Sequence, residues 1–190
     1  MPADISVNQI GMKMKNPIIL ASGIMDVTKK SLETAVRNGA GAVTTKSITL
    51  EPRKGHETPA LVRTNSGFLN AVGIANPGID EAVKEFSGWD TGRAGAPLIF
   101  NIAGKDVNEF RAIVEKLSSS KIKIDALELA LSCPHTPGYG TMAGQNNPES
   151  TAEIVRMVRS FVSVPIIAKL SPNIAALGDV AKAAEKAGAS

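Results

Sequence analysis

Short apolar runs recur along the chain and are separated by amphipathic stretches or polar loops. Their residues are apolar almost throughout, as in the strands of a parallel sheet that is covered on both faces. The five runs are Pro17–Ala21, Gly41–Thr45, Pro97–Ile102, Ala126–Leu131 and Pro165–Leu170. Most of them are followed by a segment with helical spacing, so the pattern predicts an α/β fold built from βα units.

The intervening segments supply the predicted helices. Apolar residues recur at helical spacing in Leu32–Val36, Phe110–Leu117 and Ile154–Phe161, and a further helix is expected from about residue 175 to 187. Asp106 stands where the N-cap of the second of these helices is needed.

Two regions break the regular alternation of strand and helix. Ile5–Asn8 and Ile10–Met14 alternate in polarity, which predicts a small hairpin with Asn8 and Gln9 between its strands. The passage 48–89 contains repeated Gly and Pro, and we interpret it as one long irregular connection. Connections of this length are uncommon in compact domains and are usually functional.

Polar or reactive residues stand at the carboxyl end of every predicted strand. They are Ser22, Lys46, Asn101, Cys133 and Lys169. A parallel sheet leaves two architectures, an open doubly wound sheet and a (β/α)8 TIM barrel. No strand-to-helix turn carries the GxGxxG fingerprint of dinucleotide-binding sheets, whereas a barrel builds its active site from residues that follow its strands. The pattern therefore favours the barrel.

A complete barrel needs about 250 residues. We therefore expect residues 1–190 to form a single domain, the N-terminal portion of a barrel that is incomplete at its C-terminus. About five of the eight βα units would be present.

The composition excludes several classes of protein. The 190 residues are 43% hydrophobic and 21% charged, and the net charge of +3 is scattered in small clusters. One Trp and one Tyr offer no stacking platform for nucleic acid. A single Cys cannot form an intrachain disulfide and suits a reducing cytoplasm. No apolar run approaches about 18 residues, so no membrane span is expected, and no metal site is predicted.

Cys133 stands where the fourth predicted strand becomes a loop rich in Gly and Pro. A thiol at such a boundary can be exposed at the edge of a site, and a thiolate is both a nucleophile and a base. Taken alone, a single Cys among apolar residues is more often part of the core. The polar residues at the other strand ends favour the functional interpretation.

Six short segments, which together span nearly the whole chain, carry a resemblance to a known family. They are Ala21–Gly23, Thr45–Arg53, Leu69–Gly78, Asn101–Gly104, Leu127–His135 and Ala168–Asn173. In this order they resemble the class 1 dihydroorotate dehydrogenases, and most of all the class 1B branch. The resemblance implies a TIM barrel that oxidises dihydroorotate to orotate with FMN, in the biosynthesis of the pyrimidine nucleotide UMP.

The resemblance also implies a role for individual residues. Cys133 would take the proton from C5 of dihydroorotate, while the hydride from C6 would pass to FMN. The implied substrate-binding residues are Lys46, Asn70, Ala71, Val72, Gly73 and Ile74. The implied cofactor-binding residues are Ala21, Ser22, Gly23, Lys46, Ser47, Asn101 and Lys169. The loop 136–145 would be a lid, and His135 would help to orient the substrate.

One position departs from the family pattern. The family usually has Asn where this chain has Ala130, and alanine removes two hydrogen-bond donors and an acceptor. Strand alternation places Glu128, Ala130 and Ser132 on one face, which should point into the barrel mouth. The missing amide would leave a vacancy beside flavin and substrate, so Ala130→Asn would be expected to tighten substrate binding or raise turnover.

The resemblance also implies partner subunits, and it leaves alternative functions open. Class 1B chains pass electrons to a separate iron-sulfur, FAD-containing subunit, and a homodimer or heterotetramer is expected. A dihydropyrimidine dehydrogenase-like subunit shares the Cys-Pro-His sequence, and a non-catalytic flavin-binding barrel is compatible with Ala130. A flavin-dependent RNA-reducing barrel is a further alternative, which the scattered charge disfavours. No nucleic-acid or membrane partner is expected.

Overall fold

A computed structural model gives the fold of residues 3–134 and 136–190. Five strands form one sheet in chain order, β3 (Ile19–Leu20), β4 (Ala42–Thr44), β7 (Leu98–Ile102), β8 (Ala126–Ala130) and β9 (Ile166–Lys169). Every neighbouring pair in this sheet is parallel. The predicted α/β class is confirmed, and so is the prediction that the five strands form a parallel sheet.

Within the described residues, six α-helices accompany the strands. They are α1 (Lys29–Arg37), α2 (Ile79–Phe86), α3 (Thr91–Ala94), α4 (Val107–Ser119), α5 (Pro148–Arg159) and α6 (Leu177–Ala187). Asp106 caps α4 by accepting hydrogen bonds from the backbone N–H groups of Asn108 and Glu109, as predicted. The Glu109 side chain accepts from the backbone of Lys105.

The main core lies between the sheet and these helices. Leu127, Leu129 and Leu131 are almost fully buried in the same apolar cluster as the inward faces of α4 and α5. Glu128 and Ala130 alternate with these leucines and belong to the opposite face of β8. The predicted division of this strand into a leucine face and a polar or small face is therefore confirmed.

The N-terminal hairpin forms with a different turn from the predicted one. Its strands are β1 (Val7–Gln9) and β2 (Met12–Met14), which are antiparallel. The turn is made by Ile10 and Gly11, both at positive φ, so Gln9 belongs to a strand. Gly11 adopts this conformation without steric cost, which places the turn later in the sequence than Asn8 and Gln9.

The passage 48–89 is more regular than the sequence suggested. It contains a second antiparallel hairpin, β5 (Leu61–Thr64) and β6 (Gly67–Asn70), as well as α2. All residues of the two strands are exposed. A hairpin with neither face buried needs no alternation of apolar and polar residues, and this explains why the sequence pattern missed it.

Candidate active site at the carboxyl ends of the strands

The sheet brings polar side chains from neighbouring strands together. Asn101 on β7 lies opposite Glu128 on β8, and Lys169 at the end of β9 lies opposite Ala130. Side chains that are opposite or diagonal in adjacent strands are close enough to interact. The registers therefore place Asn101, Glu128 and Lys169 on one face, near the carboxyl ends of the strands.

These three residues form a polar cluster. One oxygen of Glu128, Oε1, accepts a hydrogen bond from Asn101 Nδ2 and lies 2.6 Å from Lys169 Nζ. Asn101 is fully buried, and 10% of the Glu128 side chain and 36% of the Lys169 side chain are exposed. The cluster is thus buried on the Asn101 side and open to the rim on the Lys169 side.

Asn101 has a second polar atom that the fold does not use. Its Oδ1 is buried and has no hydrogen-bond partner within residues 3–134 and 136–190. A buried acceptor without a partner costs about 1–3 kcal/mol. A ligand N–H would satisfy this oxygen, and a flavin ring has such a group, so this observation fits the cofactor that the sequence suggested.

The loops after β3 and β4 are held together by Asp26. Asp26 is 1% exposed, and its carboxylate accepts a hydrogen bond from the backbone N–H of Gly23. The backbone carbonyl of Asp26 accepts a hydrogen bond from the backbone N–H of Lys46 at 3.0 Å. The hydroxyls of Ser22 and Ser47 lie 3.3 Å apart. Within the described part of the chain no acceptor binds Lys46 Nζ. The two loops thus meet and leave this ammonium available.

Cys133 is half-buried beside a small apolar cluster at the end of β8. The cluster consists of Ile74, Ala103, Ala130 and Tyr139. Ala130 therefore has apolar neighbours on one side, while Lys169 lies opposite it on β9. The polar vacancy expected from the sequence stays a prediction. The structure also brings Cys133 close to Ile74, one of the predicted substrate-binding residues.

The loop after Cys133 is fastened to that residue. The Cys133 carbonyl accepts from the backbone N–H of Thr141 at 3.1 Å and from its hydroxyl at 3.0 Å. Gly140 has φ +54, and a Cβ there would come within 2.3 Å of Cys133 N. Only glycine allows this approach. Closure of the loop as a lid stays a prediction.

Gln145 anchors the far end of the same loop. It is 2% exposed, its Nε2 donates to the carbonyls of Gly104 and Lys105 at 2.8 and 2.9 Å, and its Oε1 accepts from Gly140 N at 3.1 Å. The loop is therefore bound to the segment after β7 as well as to Cys133.

The predicted substrate-binding residues divide into two groups. Gly73 and Ile74 are buried, whereas Asn70, Ala71 and Val72 are exposed at the base of the β5–β6 hairpin. Ile74 has φ +55, an outlier for a β-branched residue, and such strain is often found at functional sites. Of the predicted substrate-binding residues, Ile74 belongs to the apolar cluster beside Cys133.

Arg53 connects the segment with these predicted substrate-binding residues to the loop after Cys133. Its guanidinium lies 4.8 Å from the centroid of the Tyr139 ring, and its Nε and Nη2 both donate to the Gly73 carbonyl at 3.4 Å. Tyr139 is 2% exposed, and its hydroxyl donates to Glu109 at 3.4 Å. Burial, followed by the negative charge of Glu109, raises the pKa of Tyr139 above 10.0.

The sequence comparisons identify the family to which this arrangement belongs. Residues 4–190 match the family described as dihydroorotate dehydrogenase. The chain belongs to the dihydroorotate dehydrogenase family.

Three relatives are each named dihydroorotate dehydrogenase B (NAD(+)), catalytic subunit. The protein from Pyrococcus abyssi is 45% identical over 97% of this chain, and that from Methanocaldococcus jannaschii is 41% identical over 97%. The protein from Thermoplasma acidophilum is 41% identical over 98%. The chain spans 60 to 61% of the length of these relatives.

Two side chains in this candidate site have no role in the sequence-based prediction. The sequence places Glu128 on the correct face of β8 but assigns it no function. Asp26, in the loop before α1, carries no motif signal, since one Asp in a loop is commonplace. Sequence reasoning could have singled out Glu128, because it is a carboxylate predicted to face the barrel mouth, at the end of the sheet where Lys169 also lies.

The other predicted cofactor-binding residues lie in the loops that follow β3 and β4. Ala21 and Gly23 are exposed and Ser22 and Ser47 are half-buried, so the backbone after β3 is accessible. His135 lies outside the described residues.

Among the described residues, no group of three or more His, Cys, Asp or Glu side chains could hold a metal ion. In the same part of the chain, no helix has both the length and the apolar character needed to cross a bilayer.

Proposed function

We propose that this protein oxidises dihydroorotate to orotate with FMN, as a catalytic chain in pyrimidine nucleotide biosynthesis. The observation that carries the proposal is the convergence of Cys133 and the Asn101–Glu128–Lys169 cluster at one rim, in a chain of this family. A base and a set of fixed polar groups around one opening are what removal of a proton and a hydride requires.

Cys133 is proposed as the base that removes the proton from C5 of dihydroorotate. Its thiol lies at the rim and its backbone carbonyl is held by two hydrogen bonds from Thr141, so the side chain is anchored without being sealed in the core. A thiol ordinarily ionises near pH 8.5, close enough to neutrality for a positioned general base. The side chain packs against the apolar cluster that contains Ile74 and Ala103.

FMN, when bound, supplies the acceptor for the hydride from C6. Asn101 and Lys169 are proposed to hold it from the β7–β9 side, because the first has a free buried acceptor and the second an exposed ammonium. On the other side, the proposed contacts come from the loops that follow β3 and β4. The residues in those loops are Ala21, Ser22, Gly23, Lys46 and Ser47.

Dihydroorotate is proposed to bind between Cys133 and the segment 70–74. Lys46 would favour its carboxylate by charge, and the Asn70 amide would hydrogen-bond to it. Gly73 and Ile74 would form the wall next to Cys133, with Ala71 and Val72 beside them. The positive φ of Ile74 is the local conformation that supports this assignment.

The family and the parallel sheet also support a proposal for the complete barrel and its partner subunit. The five βα units would be the N-terminal portion of a flavin-binding (β/α)8 barrel, with residues 1–190 in a single domain. The names of the relatives, which include NAD(+) and catalytic subunit, support the presence of a partner subunit. We propose that this partner is an iron-sulfur, FAD-containing subunit that accepts the electrons. A homodimer or heterotetramer in the cytoplasm would complete this arrangement.

The proposal is tested on the protein expressed from its own gene. Its visible spectrum and the mass of the released cofactor should identify FMN, and anaerobic dihydroorotate should bleach the flavin. Dihydrouracil, tested in parallel, should leave the flavin oxidised. Bleaching by dihydrouracil alone would favour a dihydropyrimidine dehydrogenase-like subunit, and bound FMN that neither compound reduces would favour a non-catalytic flavin-binding barrel.

A further inference from the structure

Glu128 is a carboxylate buried in the sheet between two groups on which the proposed flavin contacts depend. Its Oε1 accepts from Asn101 Nδ2 on one neighbouring strand and lies 2.6 Å from Lys169 Nζ on the other. Only 10% of the Glu128 side chain is exposed. A buried charge is costly unless it is paired, so this position is built around its two partners.

The first consequence concerns the orientation of the Asn101 amide. An ionised carboxylate can only accept hydrogen bonds, so Glu128 requires that Asn101 present its NH2 group. Asn101 Oδ1 then points away from Glu128, and it is the atom that lacks a partner among the described residues. Glu128 thereby selects which end of the amide is available to a ligand.

The second consequence concerns the charge and position of Lys169. Its side chain is 36% exposed and long enough to adopt many rotamers, which the ion pair with Glu128 restricts. The carboxylate also balances the ammonium charge close to the rim. Without Glu128, the lysine would be both less ordered and uncompensated.

We propose that Glu128 is a positioning residue that orients the Asn101 amide and the Lys169 ammonium for the flavin ring. This inference rests on the proposed function, since the ring is the ligand that both groups would contact. Glu128 itself touches neither cofactor nor substrate in this assignment and acts through its two neighbours.

The test measures FMN affinity and the flavin midpoint potential in the full protein. In Glu128→Gln, the new side-chain NH2 competes for Asn101 Oδ1 and Lys169 loses its counter-charge. We expect the Kd for FMN to rise about tenfold, in line with the loss of a charge-assisted hydrogen bond. The midpoint potential should become more positive, because an uncompensated cation favours the reduced, more negative flavin.

A double-mutant cycle separates positioning from a general structural role. In a Lys169→Gln background only the Asn101 contact remains to be lost and the Glu128 charge has no cation, so adding Glu128→Gln should raise the Kd for FMN by much less than it does in the unsubstituted protein. An equal loss of affinity in both backgrounds would overturn the proposal. Asp80→Asn breaks the exposed Lys116–Asp80 pair and is the matched control, which should alter neither Kd nor potential.

Glu128→Asp keeps the proposal testable if the glutamine variant fails to fold. It retains the charge but withdraws the carboxylate by one methylene, so the potential should stay near that of the unsubstituted protein while the Kd rises several-fold. Unchanged Kd and potential in a folded Glu128 variant would overturn the inference alone. Absence of FMN binding by the unsubstituted protein would overturn the proposed function, and this inference with it.

Discussion

The β7–β9 side of the candidate site is built from buried strands, whereas the connection 48–78 carries an exposed hairpin. On the first side, Asn101 and Glu128 lie on strands whose registers fix their side chains, and both are buried. In the connection, the β5–β6 hairpin exposes 71% of Phe68 and 66% of Leu69. Groups that must be held rigidly are thus on strands, whereas residues proposed to recognise the substrate are on a segment with few neighbours.

Arg53 joins the two regions through its contacts with Tyr139 and with the carbonyl of Gly73. Tyr139 belongs to the loop that is fastened to Cys133, and Gly73 to the proposed substrate segment. A change in one region is therefore expected to reach the other through this contact and through Ile74, which packs in one cluster with Ala130 and Tyr139.

Short of removing Cys133 itself, the largest effect is expected from Gly140→Ala, which disturbs the loop fastened to Cys133. The added Cβ would lie 2.3 Å from Cys133 N, so the loop or Cys133 must move. Overpacking of this kind typically costs about 1–3 kcal/mol, and a displaced base loses much of its contribution to the rate. We expect a large loss of dihydroorotate oxidation, with FMN content retained.

Gly144→Ala is the matched control for this substitution. Gly144 is in the same loop and also has positive φ, at +71°, but a Cβ added there would meet no atom within 4 Å. Its cost should be limited to the left-handed backbone, about 1–2 kcal/mol in stability. Equal losses of activity in the two variants would contradict the claim that activity depends on the close approach of Gly140 to Cys133.

Asn70→Ala tests the exposed side. If the amide hydrogen-bonds to the substrate carboxylate, its removal should cost about 1.5–3 kcal/mol of binding and raise KM about tenfold or more. Stability should be unchanged, since Asn70 is exposed. Asn65→Ala, in the turn of the same hairpin, is the control. A KM that stays the same would remove Asn70 from the substrate site.

The same contrast explains what the sequence could and could not predict. Periodicity located the five sheet strands, and because parallel strands share one carboxyl edge, it also placed Asn101 and Lys169 together. It could not identify the hairpin that carries Asn70, because neither face of that hairpin is buried. The role of Glu128 required the strand registers, which depend on contacts between segments distant in sequence.

Ala130→Asn should have a smaller effect, opposite in sign to the one expected from sequence. Ala130 packs with Ile74, Ala103 and Tyr139, so a carboxamide there would be overpacked. We expect a loss of about 1–3 kcal/mol in the free energy of unfolding and no gain in substrate affinity. Tighter dihydroorotate binding in a variant of unchanged stability would show that the site has room for the amide.

The smallest effect concerns alkaline pH and Tyr139, the single tyrosine. Burial raises the pKa of its phenol above 10.0, so the unfolded chain loses this proton at lower pH than the folded protein does. Its contribution to stability is complete below pH 10 and declines as pH rises toward the folded pKa. Near-ultraviolet absorbance of tyrosinate should therefore develop at higher pH in folded than in urea-unfolded protein, and the reverse order would contradict its burial.

The central claim is that Cys133 is the base at a flavin site on the β7–β9 rim. The most direct measurement is the rate at which anaerobic dihydroorotate bleaches the flavin in the unsubstituted protein and in Cys133→Ala. We expect the variant to keep its FMN and to bleach about 10²–10⁴ times more slowly, with Cys133→Ser recovering in part at high pH. Bleaching of Cys133→Ala at the unsubstituted rate would contradict the claim.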